Sequence, residues 1–573
     1  MSILDNQYNR PQPRVLMLAA ENGAIPGAKV GGMADVLHDL PLALAKLNIA
    51  VDVIMPSFGS LIASANAHWE ANIDVDFQGQ HQRVAVYRAA NPKLENSHFY
   101  LLEHGLFNGS LGAYSQGDAQ RPFAEDATKF ALFNLAVAEA LSQDFYTDKP
   151  RQVFNELPSH IHLHDWHTGM FAALRAFDRR YRFLQDLPCV FSIHNLALQG
   201  IRPLNGDSSS LAAWYPRLTA ELSPEQLCLL QDPRYYNCVN PMRAGIVLSD
   251  KVHLVSPSYA HEVLRPSAPE QGFFGGEGLE HDLQAKLDKQ ALVGILNGCM
   301  YPDKTQVTDS LADSDDSKLD FVKAALDKLI NWQVGKLQVR TQDFIAQARL
   351  QQWQSDSLSS VNKAKDVKGS KAQHAFLLTS VGRLTDQKVM ILRHRFSLEV
   401  SDNNLRGKTV LEVLLAKLAE HDSHARFVML GSGDNAIARE FADIAARHKQ
   451  FIFMDGYDEQ LSEQLYELGS LFLMPSSFEP CGISQMLAMR AGQLCLVNHI
   501  GGLKDTVHHL ETGFVFEGED IQQQGLSLLA TFDKALSMSG SATWQQMQQC
   551  AKSVRFDWLS QAKRYKSALY DLA

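Results

Sequence analysis

Near its N-terminus the sequence reads Arg14-Val-Leu-Met-Leu-Ala-Ala20, a short apolar run of strand length. A glycine-containing loop follows, then a helical pattern from Ala34 to Leu47, and then a second apolar run, Val51-Asp-Val-Ile-Met-Pro56. A strand, a loop, a helix and another strand in this order are typical of a parallel sheet whose faces are covered by helices. We therefore interpret this stretch as the start of an α/β domain.

The same alternation continues along the chain in two series. Further strands are predicted in the first series at Cys189–Ile193, Val252–Val255 and Ala291–Leu296, and in the second at Phe376–Val381, Arg426–Leu430, Phe451–Met454, Leu471–Met474 and Leu494–Val497. Two such series predict two α/β domains facing across a cleft. Because ligands of open α/β sheets bind beyond the carboxyl ends of the strands, we expect the chemistry there.

The alternation is interrupted between about residues 302 and 373. This stretch contains the acidic run Asp313-Ser-Asp-Asp316, a helical periodicity from Phe321 to Ile330 and a polar segment from Ser357 to Lys371. We interpret it as a domain junction that carries an insertion. The predicted division is an N-terminal domain over residues 1–300 and a C-terminal domain over 301–555, with 556–573 as a final segment.

The composition is that of an ordinary globular protein. The 573 residues are too many for one core, which favours two domains, and a net charge of -11 argues against charge-driven binding to nucleic acid. The seven cysteines form no disulfide pattern, which indicates a reducing cytoplasm. No apolar run is long enough for a signal peptide or a membrane span, so we expect a cytoplasmic enzyme that does not bind membranes.

A glycine pair, Gly31-Gly32, lies between the first strand and the first helix, with Lys29 before it and Asp35 after it. Glycines let a backbone approach a ligand closely, and a helix start presents N–H groups to an anion. A tight turn without a ligand is the alternative interpretation. The motif alone does not decide between the two.

Two cations follow the first strand of the second series. Arg383 falls where that strand ends, and Lys388 lies five residues later in a loop or the first helical turn. Together they could neutralise a departing diphosphate. The alternative is a pair of solvated loop charges.

A carboxylate follows a later apolar strand, in Phe478-Glu-Pro-Cys-Gly-Ile-Ser-Gln485. Glu479 could face the cleft and stabilise a cationic sugar or orient its hydroxyl groups. The alternative is that it stabilises the start of a helix, where acidic residues are favoured.

Histidines are dense in His160-Ile-His-Leu-His-Asp-Trp-His167, and alternation places His160, His162 and His164 on one strand face. That pattern could indicate a metal site, but no cysteine or carboxylate cluster accompanies it. We favour a loop, Asp165-Trp166, that presents polar and aromatic groups to a sugar. His194 ends another strand and is placed to meet a ligand, or else is a hydrogen-bonded structural histidine. We predict no metal and no cofactor.

The order and separation of these motifs resemble those of bacterial glycogen synthases and plant starch synthases, from about residue 14 to the end. The motifs that carry the resemblance are Lys29-Val-Gly-Gly-Met-Ala-Asp35, His164-Asp-Trp-His-Thr-Gly169, His194-Asn-Leu-Ala-Leu-Gln-Gly200, Val255-Ser-Pro-Ser-Tyr-Ala260, Gly294-Ile-Leu-Asn-Gly298, Gly382-Arg-Leu-Thr-Asp-Gln-Lys388, Leu430-Gly-Ser-Gly-Asp434, Pro475-Ser-Ser-Phe-Glu-Pro-Cys-Gly482, Gly501-Gly-Leu-Lys-Asp-Thr-Val507 and Thr512-Gly-Phe-Val-Phe516. The resemblance implies a metal-independent glycosyltransferase of the GT-B architecture, with two Rossmann-like domains. It also implies a C-terminal helix, near Trp558 to Leu572, that returns to the N-terminal domain.

The resemblance also implies roles for single residues. Glu479 would be the catalytic carboxylate, with Arg383 and Lys388 as the phosphate-neutralising pair. His194 and Asp165 would lie around the transferred glucose. The remaining implied donor- or sugar-binding residues are Lys29, Gly31, Gly32, Asp35, Asn195, Asn297, Tyr457 as the base-stacking tyrosine, Cys481 and Gly482.

Several positions depart from the family pattern. They are Leu198 in place of a tyrosine, Met300 in place of an aspartate, Val389 in place of a glycine, Ser477 in place of an arginine, and Asn498-His-Ile500 in place of a basic pair and threonine. The phosphate and glucose residues are all retained.

The function implied is transfer of glucose from ADP-glucose, or UDP-glucose, to the non-reducing end of an α-1,4-glucan with retention of configuration. A related glycosyltransferase with another donor or acceptor is one alternative, and a non-catalytic glucan-binding homologue is another. The oligomeric state does not follow from the sequence.

Overall fold

The computed structural model describes residues 12–108, 124–146, 153–154, 156–301, 315–333, 340–366, 375–398, 400 and 402–572. The chain forms two compact units. Unit 1 comprises Met1–Ser267, Phe274–Met300 and Phe556–Ala573, and unit 2 comprises Ala268–Phe273 and Tyr301–Arg555. Within the described ranges, no helix has both the length and the apolar character needed to cross a membrane.

Unit 1 is built on a nine-stranded sheet with the order β11-β10-β7-β6-β1-β2-β5-β4-β3, beside a small antiparallel ladder of β8 and β9. The strands are β1 (Arg14–Leu18), β2 (Ala50–Pro56), β3 (His68–Phe77), β4 (Gln80–Ala90), β5 (His98–Glu103), β6 (His160–His164), β7 (Cys189–Ile193), β8 (Arg202–Pro203), β9 (Cys238–Val239), β10 (Lys251–Leu254) and β11 (Leu292–Gly294). Every strand predicted for this half is present. Strands β3 to β5 and the two-residue strands β8 and β9 were not predicted.

The two parts of this sheet differ in how they are covered. All residues of β1 and β2 are buried, as expected for parallel strands with helices on both faces. Strands β3 and β4 pair antiparallel at the edge, and β3 alternates between exposed and buried positions along Ala71 to Phe77. One face of this edge therefore meets solvent.

Among the described residues of unit 1 before its C-terminal segment, ten α-helices connect these strands. They are α1 (Gly32–Ala45), α2 (Leu61–Ser64), α3 (Ala124–Tyr146), α4 (Trp166–Phe177), α5 (Leu211–Trp214), α6 (Pro216–Glu221), α7 (Pro224–Leu230), α8 (Pro241–Leu248), α9 (Pro257–Glu262) and α10 (Glu280–Asp288). The helices α4 and α8 pack closely because Gly169 has no side chain. A Cβ atom there would lie 1.9 Å from the carbonyl oxygen of Pro241.

Unit 2 is built on a six-stranded, fully parallel sheet with the order β14-β13-β12-β15-β16-β17. The strands are β12 (Leu377–Val381), β13 (Arg426–Leu430), β14 (Phe451–Met454), β15 (Leu471–Met474), β16 (Leu494–Asn498) and β17 (Gly513–Phe516). The five strands predicted for this half are present, and β17 was not predicted. Both sheets are wound in two directions from a central strand, the arrangement of a Rossmann-like fold.

The helices of unit 2 include two in the predicted insertion. The helices are α11 (Asp315–Gln333), α12 (Thr341–Asp366), α13 (Asp386–Arg393), α14 (Val410–His421), α15 (Asn435–Arg447), α16 (Glu459–Leu468), α17 (Ser484–Ala491), α18 (Gly501–Thr506), α19 (Ile521–Met538) and α20 (Ala542–Ser553). The periodicity from Phe321 to Ile330 lies within α11. The polar segment from Ser357 is helical as far as Asp366, and the rest of that segment, like Asp313 and Ser314, lies outside the described residues.

The C-terminal segment of the chain packs on unit 1. Helix α21 (Trp558–Arg564) continues into a π-helical turn, Tyr565–Leu569. The indole N–H of Trp558 donates to Asp39 Oδ2 at 3.1 Å, and the Tyr570 hydroxyl contacts His162 Nδ1 at 2.8 Å. These contacts place the last residues of the chain against α1 and β6.

Candidate active site

Most of the candidate site residues follow the strands at which each sheet reverses its order. In unit 1 this point lies between β1 and β6, and in unit 2 between β12 and β15. Connections leave such a point toward opposite faces, and the crevice they open is where doubly wound sheets bind ligands. Each unit thus has its own predicted binding edge.

The loop after β1 is held by a carboxylate that the sequence analysis did not single out. Glu21 Oε2 accepts the backbone N–H of Gly31 at 2.6 Å and that of Val30 at 3.1 Å. The Gly31 N–H is thus bonded to Glu21 in this structure, and the role of Gly31 in donor binding stays a prediction. Helix α1 begins at Gly32 without a hydrogen bond from a capping side chain, so an anion site there would rest on Gly32.

Lys29 and Asp35 form an ion pair at this edge. Lys29 Nζ lies 2.6 Å from Asp35 Oδ1, and both side chains remain partly exposed. Burial raises the pKa of Asp35, and Lys29 opposes that effect. Lys29 is thus paired with a carboxylate of the first turn of α1 in this structure.

Asp165 follows β6 and adopts φ of 57°, a left-handed conformation that is uncommon for a residue with a side chain. Its Oδ1 accepts the N–H of His194 at 2.7 Å and that of Asn195 at 3.3 Å. Burial raises the pKa of Asp165 to about 7, although these two N–H groups lower it and Glu21 raises it further. Asp165 therefore ties the end of β6 to the end of β7.

His194 is part of a buried row of histidines. Its Nε2 lies 3.0 Å from His164 Nδ1, and His164 stacks on His162 with ring centroids 4.3 Å apart. Burial lowers the pKa of His194 to about 3, with a further contribution from His253. The imidazole of His194 is therefore neutral at physiological pH, which suits a hydrogen bond to a sugar hydroxyl.

Two asparagines differ in what their side chains do. Asn195 Oδ1 accepts the N–H of Ala197 at 3.0 Å and so stabilises the turn after β7. Asn297 is 4% exposed, and its Oδ1 has no hydrogen-bond partner within the part of the chain that the structure describes. A buried acceptor of this kind is costly unless a ligand or water donates to it, which supports Asn297 as a binding residue.

In unit 2 the structure brings Lys388 and Glu479 together. Lys388 lies in the first turn of α13, after β12, and its ammonium group forms an ion pair and hydrogen bond with Glu479 Oε2, after β15. Arg383 is exposed in the loop before α13. Two cations and one carboxylate therefore follow the two strands at the switch point.

Glu479 is 6% exposed and has further support. Its Oε2 accepts the Ser476 hydroxyl at 3.1 Å, and the Ser476 carbonyl accepts Asn498 Nδ2 at 3.0 Å. The Ser477 N–H donates to the Gln387 carbonyl at 2.8 Å, one residue before Lys388. Ser477, where the family pattern has an arginine, thus fixes the loop of Glu479 against that of Lys388.

The loop after Glu479 depends on glycine at three positions. Gly482 has φ of 75°, and a Cβ atom there would lie 2.5 Å from Gln485 Oε1. A Cβ atom at Gly502 would lie 2.2 Å from the carbonyl oxygen of Cys481, which is buried. The N–H of Gly502 donates to the Glu479 carbonyl at 3.0 Å. Gly501 has φ of 47°, so both residues of the Gly501-Gly502 pair serve to hold the Glu479 loop.

Comparison with known proteins agrees with this geometry. The family model of the starch synthase catalytic domain matches residues 14–285, and that of glycosyl transferases group 1 matches residues 400–530. A glycogen synthase of Streptococcus equi subsp. zooepidemicus is 30% identical over 97% of this chain and 100% of its own. The chain belongs to the glycogen and starch synthase family.

Other members of the family agree. A glycogen synthase of Desulfitobacterium hafniense is 28% identical over 97% of this chain and 99% of its own length. The catalytic domain of starch synthase IV from Arabidopsis thaliana, solved with ADP and acarbose bound, has a TM-score of 0.69 and 24% identity over 98% of this chain and 99% of its own. That likeness confirms the predicted GT-B fold. As a family member the chain is a retaining glycosyltransferase.

Trp166 was expected in a loop that presents its ring to a sugar, and the structure places it elsewhere. The residue begins α4 rather than lying in a loop, is buried, and packs edge-on against Phe130 at 5.5 Å. A Cβ atom at Gly200 would lie 2.1 Å from its ring, so the glycine makes room for it. The prediction that Trp166 contacts sugar is therefore wrong, and Asp165 alone follows β6 at the site.

The three histidines of β6 bond to protein groups. His160 Nε2 lies 2.9 Å from the Tyr570 carbonyl, and His162 Nε2 lies 2.7 Å from the Ser192 hydroxyl. Among the described residues there is no group of three or more potential ligands placed to hold a metal ion. The histidine row is thus an internal hydrogen-bonded array of this family member.

Tyr457 is exposed at the end of another strand of unit 2. It follows β14, two residues after Asp455, and 55% of its surface is accessible. An exposed aromatic ring at the carboxyl edge of the sheet offers a flat apolar face, which is suited to stacking on a nucleobase.

Proposed function

We propose that the chain transfers glucose from ADP-glucose to the non-reducing end of an α-1,4-glucan, with retention of configuration. The observation that carries this proposal is the pairing of Lys388 with Glu479 after the two strands at which the sheet of unit 2 reverses. The cation can stabilise the negative charge that develops on a departing diphosphate, and the carboxylate can stabilise the positive charge that develops on the sugar. The ADP held by the Arabidopsis relative of the same fold supports the choice of nucleotide.

The reaction breaks the bond between the anomeric carbon and the diphosphate oxygen and forms a bond to the 4-hydroxyl oxygen of the acceptor's terminal glucose. The hydroxyl proton passes to the departing phosphate, and ADP leaves. We assign Arg383 and Lys388 to the developing negative charge on the diphosphate, since both follow β12. Charges positioned before the reaction need no reorganisation during it, so each contributes several kcal/mol by order of magnitude.

Unit 1 carries the other residues to which we assign roles. We assign Lys29 and the N-terminus of α1 at Gly32 to the diphosphate. His194, neutral because burial lowers its pKa to about 3, would donate to or accept from a glucose hydroxyl, with Asp165 holding its backbone. We place this activity in the cytoplasm, in keeping with seven cysteines that are all free thiols.

The experiment is a donor and acceptor comparison with purified protein. ADP-glucose and UDP-glucose are each supplied with glycogen or with maltose, and both nucleotide release and chain elongation are measured. We expect ADP release coupled to elongation of glycogen. A preference for UDP-glucose would overturn the choice of donor, and elongation of maltose alone would overturn the choice of acceptor. No release from either donor would indicate a non-catalytic glucan-binding protein.

A further inference from the structure

The helices α11 and α12 form a helical hairpin that neither matched family region includes, since those regions end at residue 285 and resume at 400. The two helices pack on each other, with the rings of Phe321 and Trp353 6.1 Å apart. The hairpin is anchored on unit 2 along α12, where Arg349 donates to the carbonyls of Ala445 and Ala446 at 2.8 to 3.1 Å.

Arg340, directly before α12, bonds to Asp455, the residue that follows β14. Arg340 Nη1 lies 2.6 Å from Asp455 Oδ2, and Arg340 Nη2 donates to the Asp455 carbonyl at 2.7 Å. Gln342 Nε2 donates to the same carboxylate at 3.0 Å. Asp455 is buried, so this bidentate contact is of the kind that fixes a backbone position as well as a charge.

The next residues of the same loop also contact the hairpin. A Cβ atom at Gly456 would lie 2.5 Å from the Trp332 ring, so the indole covers the glycine directly. Lys328 Nζ lies 2.6 Å from Asp458 Oδ2, and Asp458 caps α16 by accepting the N–H of Leu461. The hairpin therefore contacts the loop on both sides of Tyr457.

We propose that the helical hairpin is a positioning element for the donor's nucleobase, because it fixes the loop that carries Tyr457. This inference rests on the proposed function, and it assigns the exposed Tyr457 ring to stacking on the base of the donor. A ring held in one position before binding loses less conformational freedom on binding, so the hairpin raises nucleotide affinity without touching the nucleotide. Arg340, Trp332 and Lys328 are the positioning residues.

In this proposal the hairpin affects only the part of the ligand that contains the base. Comparing a ligand that has a base with one that lacks it therefore tests the proposal. ADP and inorganic pyrophosphate share the diphosphate, but only ADP carries a base. We compare Arg340→Gln with Arg349→Gln, which removes the arginine that bonds α12 to the carbonyls of Ala445 and Ala446, away from the Tyr457 loop. Because Arg340→Gln could impair folding, Lys328→Gln is compared in parallel with Lys323→Gln, another partly exposed lysine of α11 that pairs with Asp320. Calorimetry gives the Kd of ADP, and competition gives that of pyrophosphate.

We expect Arg340→Gln and Lys328→Gln to raise the Kd of ADP about five- to tenfold while leaving that of pyrophosphate within twofold. The KM for ADP-glucose should rise with kcat nearly constant, and Arg349→Gln and Lys323→Gln should match the wild type. The inference is overturned if Tyr457→Ala weakens ADP but both hairpin variants bind it normally, or if ADP and pyrophosphate weaken equally. A wild-type protein that binds no nucleoside diphosphate would overturn the proposed function itself.

Discussion

Lys388 and Glu479 form an ion pair in unit 2 although they lie 91 residues apart and follow different strands. The pair exists because β12 and β15 are neighbours at the point where the sheet reverses its order. Ser476 and Ser477 hold it from one side, the first through the carboxylate and the second through the Gln387 carbonyl. The first two predictions concern the carboxylate of this pair, Glu479, and Arg383, the other cation that follows β12.

Replacing Glu479 with glutamine should lower kcat roughly 100- to 1,000-fold while the fold is kept. Glutamine keeps an acceptor for the Ser476 hydroxyl but removes the charge that would stabilise a cationic sugar. The measurement is ADP release from ADP-glucose with glycogen, together with the thermal midpoint. The control is Glu463→Gln, which removes a partly exposed carboxylate paired with Arg490. Normal elongation by the Glu479 variant would remove this residue from the mechanism.

Replacing Arg383 with alanine should reduce kcat/KM roughly 100-fold, because an exposed cation after β12 is lost from the developing diphosphate. Arg383 is exposed, so stability should change little. Steady-state kinetics with ADP-glucose tests this, with Arg406→Ala, an exposed arginine outside the switch point, as the control. Equal kinetics for both variants would contradict the assignment.

Replacing Lys29 with glutamine should weaken donor binding about ten- to hundredfold, the range of one charge-assisted hydrogen bond. The KM for glycogen should stay near that of the wild type. Lys46→Gln is the matched control, because Lys46 is an exposed lysine at the other end of the same helix. A larger effect on the glycogen KM than on the donor KM would show that Lys29 serves the acceptor.

The stability of unit 1 should depend on pH through Asp165. Burial raises its folded-state pKa to about 7 from 3.8, so the folded state binds this proton more tightly than the unfolded state does. The stability from this group is therefore full below pH 3.8 and is lost as pH rises through 7, by up to about 4 kcal/mol.

The variant Asp165→Asn should lack this dependence. Asparagine keeps an acceptor for the His194 N–H and tolerates a positive φ. We expect the thermal midpoint of the wild type to fall relative to that of the variant between pH 4 and 8. Asp288→Asn, which changes an exposed carboxylate of α10, should track the wild type. A constant difference between wild type and Asp165→Asn across this range would be inconsistent with a raised pKa.

Transfer should proceed in excess chelator. The nitrogens of His160 and His162 hydrogen-bond to Tyr570 and Ser192, so these histidines have other roles than metal binding. The measurement is the rate of elongation with and without chelator, followed by addition of Mg²⁺ or Mn²⁺. Loss of activity that either ion restores would contradict this prediction.

The buried parallel strands were predictable because their residues are apolar on both faces. Strands such as β1, β7 and β15 read as continuous apolar runs bounded by polar loops. Strand β5 lies inside the sheet and was missed although its residues 99–102 form a buried apolar run. The edge strands β3 and β4 were missed because one face meets solvent, which breaks the apolar run into an alternation. That alternation, Ala71-Asn-Ile-Asp-Val-Asp-Phe77, was the signal available.

The candidate site was predictable as a set of residues but not as a set of contacts. Lys388 and Glu479 could each be assigned to the end of a strand, whereas their pairing depends on strand order, which no local pattern encodes. Glu21 was missed for the same reason, because its role is to accept N–H groups nine and ten residues further on. Trp166 was assigned to a loop although Asp165 before it is a residue type favoured at helix N-caps. In the structure the Asp165 carboxylate bonds to the N–H groups of His194 and Asn195 instead.

The packing of residues after Phe556 on unit 1 has a consequence for how the protein is made. The indole of Trp558 and the hydroxyl of Tyr570 reach the ribosome exit only after every residue of unit 2 has been translated. Unit 2 can therefore fold during synthesis, whereas unit 1 can complete its fold only after the C-terminal residues cover Asp39 and His162. A message truncated before codon 556 would yield a protein in which unit 2 is folded and unit 1 lacks its C-terminal segment.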